Sequence, residues 1–336
     1  MPQIVGTGLA ALDLIVDSSR AGQYIAGGGG TCGNVLAALS VMGWGSTLVG
    51  AVRGSPAANI VEDDLRHAGV EVELLFSDEG SVVPVIVEHV KRNWLTRRGR
   101  HWFSFNCPFC RRELPRFSAP ADELLNTKTG RAAKADVFFT DRLSAAVVEM
   151  AVSAREHGAF VMYEPSTNAD QQWIDQMLAV AHVVKFSSDN ADALALKPTN
   201  RSLWIETHGA KGLRWRAAGS KSWNVARAPL VTRLVDSCGA GDWFSAGLLF
   251  SLFEFTSEPR AATERQIEKA IRYATLLAAW SCRFLGARGP LYDADASEAI
   301  DVIARAAGVR IAKRARERLS RPEVSASVCC HCEPAV

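Results

Sequence analysis

The segment Asp236-Ser237-Cys238-Gly239-Ala240-Gly241-Asp242 places a carboxylate at each end of a run of small residues. The apolar stretch that follows, Trp243 to Phe250, is expected to be a helix. Small residues at a helix N-terminus leave backbone N–H groups unpaired and accessible, at the positive end of the helix dipole. Glycine also lets the backbone approach a phosphate closely. Asp242, in the first turn, can take a proton from an attacking hydroxyl. A base beside an anion hole suits phosphoryl transfer, where catalysis is mostly positioning and charge stabilisation. A lone Gly-x-Gly-Asp would more simply be a capped turn. The whole seven-residue string entering an apolar helix is more specific.

These residues need elements to hold them. Ile4 to Val16 reads as one extended run, and Asn34 to Met42 and Asn59 to Ala68 read as helices with one apolar face. Further along, strands are expected at Asp136–Thr140, Ala159–Tyr163, Val183–Phe186 and Ser202–Thr207. Helices are expected at Ser144–His157 and Gln171–Ala179 between them. Leu230–Val235 reads as a strand leading into the glycine segment. This alternation implies a parallel sheet with helices on both faces. Residues 72–105, with Val82-Val-Pro-Val-Ile-Val and Trp102-Phe-Ser-Phe, read as strands outside that sheet.

A second glycine run, Gly27-Gly28-Gly29-Gly30-Thr31-Cys32-Gly33-Asn34, precedes a helix expected to begin at Val35. Taken alone it is a loop with Asn34 as an N-cap. It fits a dinucleotide fingerprint poorly, because no conforming strand is expected directly before it. The two glycine segments together resemble the ribokinase, or PfkB, family of carbohydrate kinases, over about residues 4–305. The resemblance implies a ribokinase-like three-layer α/β sandwich with a mostly parallel central sheet and a small β-lid. It divides the chain into a kinase domain, 1–310, with the lid drawn from about 14–30 and 72–117, and a basic helix with a Cys-rich tail, 311–336.

It also implies roles. Asp242 would deprotonate the acceptor hydroxyl while the amides of Gly239, Ala240 and Gly241 hold the transferring phosphate of ATP. Asp13, Gly29, Gly30 and Asn34 would bind a sugar or nucleoside acceptor. Thr207-His-Gly209-Ala-Lys-Gly212, on its own terms a hairpin turn, would line the ATP site, with Gly286 closing over adenine. A monovalent cation, K+, would take Asp236 and the Cys238 carbonyl, with the 286–287 loop opposite. One departure stands out. Where the family carries Asn-x-x-Glu to organise Mg2+, this chain has Ser187 and Asn190. Mg-ATP is still expected, since Mg2+ is held largely by phosphate and water. The loss of the carboxylate motivates a rival reading, a catalytically weak sugar- or nucleotide-binding regulatory protein on the same fold.

Cys107-Pro-Phe-Cys110 resembles a zinc knuckle, and the tail carries Cys329-Cys330-His331-Cys332. Tetrahedral Zn2+ needs four ligands, so one structural Zn2+ on Cys107, Cys110, Cys330 and Cys332 is an expectation, against disulfides or a disordered tail. Glu164 and Arg142 follow expected strands and are assigned no role.

Bulk properties narrow the classes. The chain has 336 residues, 48% hydrophobic and 22% charged, with a formal net charge of +2. That balance asks for neither nucleic acid nor a membrane surface. The basic run Lys91–Arg100 reads as a solvated hairpin. No apolar run reaches the ~20 residues of a membrane span, and the start lacks a secretion-signal pattern. A cytoplasmic enzyme, with a homodimer among the options, is the expectation. Its eight cysteines then read as thiols or metal ligands.

Overall fold

The computed structural model describes residues 1–17, 24–51, 55–72, 75–76, 82–92, 99–165, 169–191, 196–293 and 295–308. Its strands are β1 (Gln3–Thr7), β2 (Ala11–Asp17), β3 (Tyr24–Gly29), β4 (Gly45–Ala51), β5 (Val70–Glu71), β6 (Leu75–Phe76), β7 (Val85–Arg92), β8 (Gly99–Ser104), β9 (Val137–Thr140), β10 (Phe160–Tyr163), β11 (Val183–Ser187), β12 (Leu203–Thr207), β13 (Leu213–Arg216) and β14 (Asn224–Ala226). Its α-helices are α1 (Thr31–Val41), α2 (Pro56–His67), α3 (Asp122–Asn126), α4 (Thr129–Ala132), α5 (Ala145–Glu156), α6 (Gln171–Val180), α7 (Ala240–Phe255), α8 (Glu264–Ser281) and α9 (Ala296–Ala307).

The central sheet runs β14-β13-β12-β11-β10-β9-β1-β4-β5, with β6 also paired to β4. It is parallel from β12 to β5, and β13 and β14 add an antiparallel edge. Strand side chains alternate between faces, and the two cores follow that alternation. Ile4, Phe139, Met162, Val183 and Ile205 join one core with α1, α7 and α8. Val5, Phe138, Val161, Val184 and Trp204 join the other with α5 and α6. Strands apolar on both faces must be covered on both, which makes the three layers a consequence of sequences such as Val137-Phe-Phe.

A second sheet, β3-β2-β7-β8, stands apart. The run expected as one extended piece from Ile4 to Val16 is two strands in two sheets. β1 pairs with β4 and β9, whereas β2 pairs with β3 and β7. The break falls at Gly8, whose φ is +145°. The glycines of the second motif are themselves sheet, since β3 ends at Gly29. A strand therefore does run directly into α1, contrary to the sequence reading. Helix α1 opens at Thr31 behind Gly30, with no side-chain cap, so Asn34 is inside the helix and not its N-cap. Leu230–Val235 is not a strand; the stretch is irregular backbone with bends. Its backbone is tied instead to the end of α8, with the Val235 amide on the Cys282 carbonyl at 2.9 Å. Among the described residues, no helix is long and apolar enough to cross a membrane.

Candidate active site

The parallel strands end on one edge. Thr7, Thr140 and Tyr163 lie in register there, as do Ser187 and Thr207. From β1 the chain turns to β4 on one side and later resumes at β9 on the other. Ligands of open α/β sheets bind at such a switch point, outside the carboxyl ends of the strands.

Helix α7 points its N-terminus at this edge. Gly239 is its N-cap, left-handed with φ +74°. The first helical hydrogen bond runs from the Trp243 amide to the Gly239 carbonyl at 2.9 Å. The amides of Gly241 and Asp242 precede it, so no carbonyl one turn earlier is available to them. A Cβ built on Gly239 would lie 2.4 Å from the Ala287 Cβ and 2.5 Å from its Cα. Both conformation and packing therefore demand glycine. Gly239→Ala is expected to cost about 1–3 kcal/mol, measurable by chemical denaturation.

Below the first turn lies a buried ion pair. Lys185, from β11, donates to Glu164 after β10 and to the Gly241 carbonyl at 2.9 Å. The Ser245 hydroxyl donates to the other Glu164 oxygen at 2.5 Å. The pair pins the helix start to the sheet. It also acts on Asp242, whose carboxyl is pushed up to about 7, first by burial and next by the Glu164 charge. The Asn34 amide and Lys185 oppose that rise.

The second glycine motif meets α7 here. Asn34, buried in α1, donates to Asp242 Oδ2 at 2.7 Å and accepts from Arg288 Nε at 3.0 Å. Arg288 is itself paired with Asp64 of α2. The same Asp64 accepts from the Gly28 amide at 2.9 Å and from the Tyr292 hydroxyl. Asp13, on β2, has its carboxyl raised to about 7 by burial, against the pull of Arg288. Gly29 lies beside it: a Cβ there would stand 2.0 Å from Asp13 Oδ2.

The pfkB family carbohydrate kinase description matches residues 1–294. The chain belongs to the pfkB family of carbohydrate kinases. It is 25% identical over 276 residues to Probable fructokinase-4 of Arabidopsis thaliana, covering 75% of this chain and 82% of that one. In fold it resembles the fructokinase of Xylella fastidiosa solved with bound ATP, at TM-score 0.64 and 18% identity over 91% of this chain and 99% of the other. It also resembles the Arabidopsis thaliana ribokinase solved with ribose and ATP, at TM-score 0.63 and 14% identity over 85% of this chain and 94% of the other.

The remaining expected residues fall into three groups. Thr207, Gly209 and Gly212 form the turn between β12 and antiparallel β13, closed by the His208 amide on the Gly212 carbonyl at 2.7 Å. The hairpin reading holds. Ser187 caps a short 3-10 turn that contains Asn190, accepting from the Asp189 amide at 3.3 Å. The Asp236 carboxylate accepts from the Cys238 amide at 3.0 Å and the Gly286 amide at 2.8 Å, which staples the glycine loop to the turn after α8.

Cys107 is buried and Cys110 half-buried. They sit in a tight loop closed by the Cys107 amide on the Arg112 carbonyl at 2.8 Å. Cys330 and Cys332, with the basic segment before them, lie outside the described residues.

Sequence reasoning missed Asp64, Lys185 and Arg288. Lys185 carried a signal, a lysine inside a buried strand, which requires a partner. Asp64 looks like any acid on an amphipathic helix. Arg288 looks like a loop arginine, yet is 4% exposed.

Proposed function

We propose that this protein transfers the γ-phosphate of ATP to a hydroxyl of a sugar, nucleoside or related polyol, with Asp242 as the base. One observation carries the reading: Asp242, in the first turn of a glycine-opened helix, is hydrogen-bonded to Asn34 from the acceptor-side motif. Base and acceptor-binding residues therefore share one cleft. Asp242 takes the acceptor hydroxyl proton as the new oxygen–phosphorus bond forms and ADP leaves with the electrons of the broken one. The amides of Gly239, Ala240 and Gly241 receive the charge on the transferring phosphoryl group. A carboxyl poised near neutrality is suited to proton transfer at physiological pH.

Asp13, Gly29, Gly30 and Asn34 hold the acceptor, and Arg288 positions Asn34 and Asp13 behind them. The β12–β13 turn, Ser187, Asn190 and Gly286 line the ATP side. Bound Mg2+ would neutralise phosphate charge. With Asn at 190, it relies more on phosphate and water oxygens. The similar fructokinase, solved with ATP, and ribokinase, solved with ribose and ATP, support both the donor and the acceptor class.

The deciding experiment is ATP turnover across a panel of sugars and nucleosides, with direct ligand binding measured in parallel. A phosphorylated acceptor supports the kinase. Tight ligand binding with no acceptor phosphorylated overturns it in favour of the regulatory binding protein that Ser187 and Asn190 motivate.

A further inference from the structure

A buried acid with no N–H donor lies where the four-stranded sheet meets the glycine loop. Glu88, on β7, is 1% exposed; no N–H donor reaches its carboxyl, whose polar neighbours are the Asp236 carboxyl and the Cys238 thiol. Buried carboxylates are ordinarily paired or hydrogen-bonded, because a bare charge in the interior is strongly unfavourable. Its surroundings make matters worse. Burial, and then the charges of Asp236 and Asp13, push its carboxyl up to about 10.

The sheet brings an imidazole to the same place. Val90 of β7 stands opposite His101 of β8. Glu88, two residues along, therefore shares its face with His101 and is its diagonal neighbour. His101 Nδ1 is 3.0 Å from Asp236 Oδ1. One ligand atom from each of Glu88, His101 and Asp236 lies within 4.8 Å of the other two.

We propose that Glu88, His101 and Asp236 bind a divalent transition-metal cation, of the Mn2+, Co2+ or Zn2+ class, that ties β7 and β8 to the loop preceding α7. Two carboxylates and an imidazole are a donor set these ions accept. Donors on one such ion stand about 3–4 Å apart, given bonds of ~2.1 Å, so small side-chain torsions close the remaining gap. A divalent charge cancels the two carboxylates that the fold places side by side.

The ion takes the place between the three side chains, with His101 binding through Nδ1 and carrying its ring proton on Nε2. The Asp236 hydrogen bonds to Cys238 and Gly286 stay in place. His101, with its side chain 22% exposed, leaves a path for the ion and water to complete the coordination. This site differs from the monovalent one expected at Asp236 and Cys238. It takes side chains of the second sheet, and imidazole nitrogen is a poor ligand for K+.

The test is a Co2+ titration of the full-length protein after chelator treatment, in excess K+, followed by calorimetry and visible absorption. Wild type, Glu88→Gln, His101→Ala and a Cys107→Ser/Cys110→Ser double variant are compared. The expected result is a Co2+ equivalent, present in wild type and in the serine variant, whose affinity falls at least tenfold in Glu88→Gln and in His101→Ala. Unchanged affinity in His101→Ala overturns the proposal, and that variant keeps the test alive should Glu88→Gln fail to fold. Loss of all binding in excess K+, or binding that vanishes only with the two cysteines, overturns it equally.

Discussion

Asp242→Asn is expected to lower kcat by about 10²–10⁴-fold, the contribution of a positioned general base, while leaving ATP affinity nearly unchanged. The replacement keeps size and shape, and its amide oxygen can still accept the Asn34 hydrogen bond. The wild-type enzyme should show an acid limb in kcat/KM near pH 7, where the Asp242 carboxyl titrates. Activity falls below that pH because the base is protonated, and the limb should be absent from the residual activity of the variant. Stability moves the other way. The folded-state pKa is raised from 3.8, so between about 4 and 7 the folded protein holds a proton the unfolded chain has released. Stability contributed by this carboxyl is therefore full at low pH and is lost as pH rises through 7. At pH 8 the Asn variant should melt at a higher temperature than wild type, the usual signature of a group kept for function. Wild-type turnover in Asp242→Asn would sink the assignment.

Much of that site was legible in the chain because its signals are local. Gly239 and Asp242 belong to one seven-residue string, and a helix N-terminus is a short-range feature. The three layers were legible too, since Val137-Phe-Phe and Val183-Val can be buried on both faces only inside a covered sheet. What failed was continuity. Ile4 to Val16 is apolar throughout, and periodicity cannot show that a bend near Gly8 sends its halves to different sheets. Leu230–Val235 has strand composition but pairs with no strand among the described residues, and the Val235 amide goes to the end of α8 instead. Asn34 was read from its neighbours as a cap, whereas its bonds run to Asp242 and Arg288, 208 and 254 residues away. Asp64 with Arg288, and Glu88 with His101 and Asp236, are likewise pairings that only the fold brings together.

The buried pair under the first turn of α7 gives the second large effect. Lys185→Met is expected to destabilise the protein by about 3–5 kcal/mol, the cost of removing one partner of a buried ion pair. Lys185 has its side chain 3% exposed and Glu164 11%, so little water can replace the lost ammonium. After the substitution Glu164 keeps the Ser245 hydroxyl but has lost its cation, and the Gly241 carbonyl has lost a donor. Two sources of cost are thus mixed, an unpaired charge and an unanchored helix start. The double variant Lys185→Met/Glu164→Gln separates them. Neutral residues of similar volume often replace a buried pair at little cost, and the introduced glutamine can still accept from Ser245. If the charge dominates, as its burial argues, the double variant recovers most of the stability lost by Lys185→Met, measured by denaturant unfolding. If both variants are equally unstable, the Lys185 bond to the Gly241 carbonyl is the greater part, and the pair serves chiefly to fix the first turn of α7. A turnover assay of the refolded double variant reads that same first turn. Stability restored without activity would mean that the pair, through the Lys185 bond to the Gly241 carbonyl and its charges on Asp242, tunes that turn beyond holding it in place.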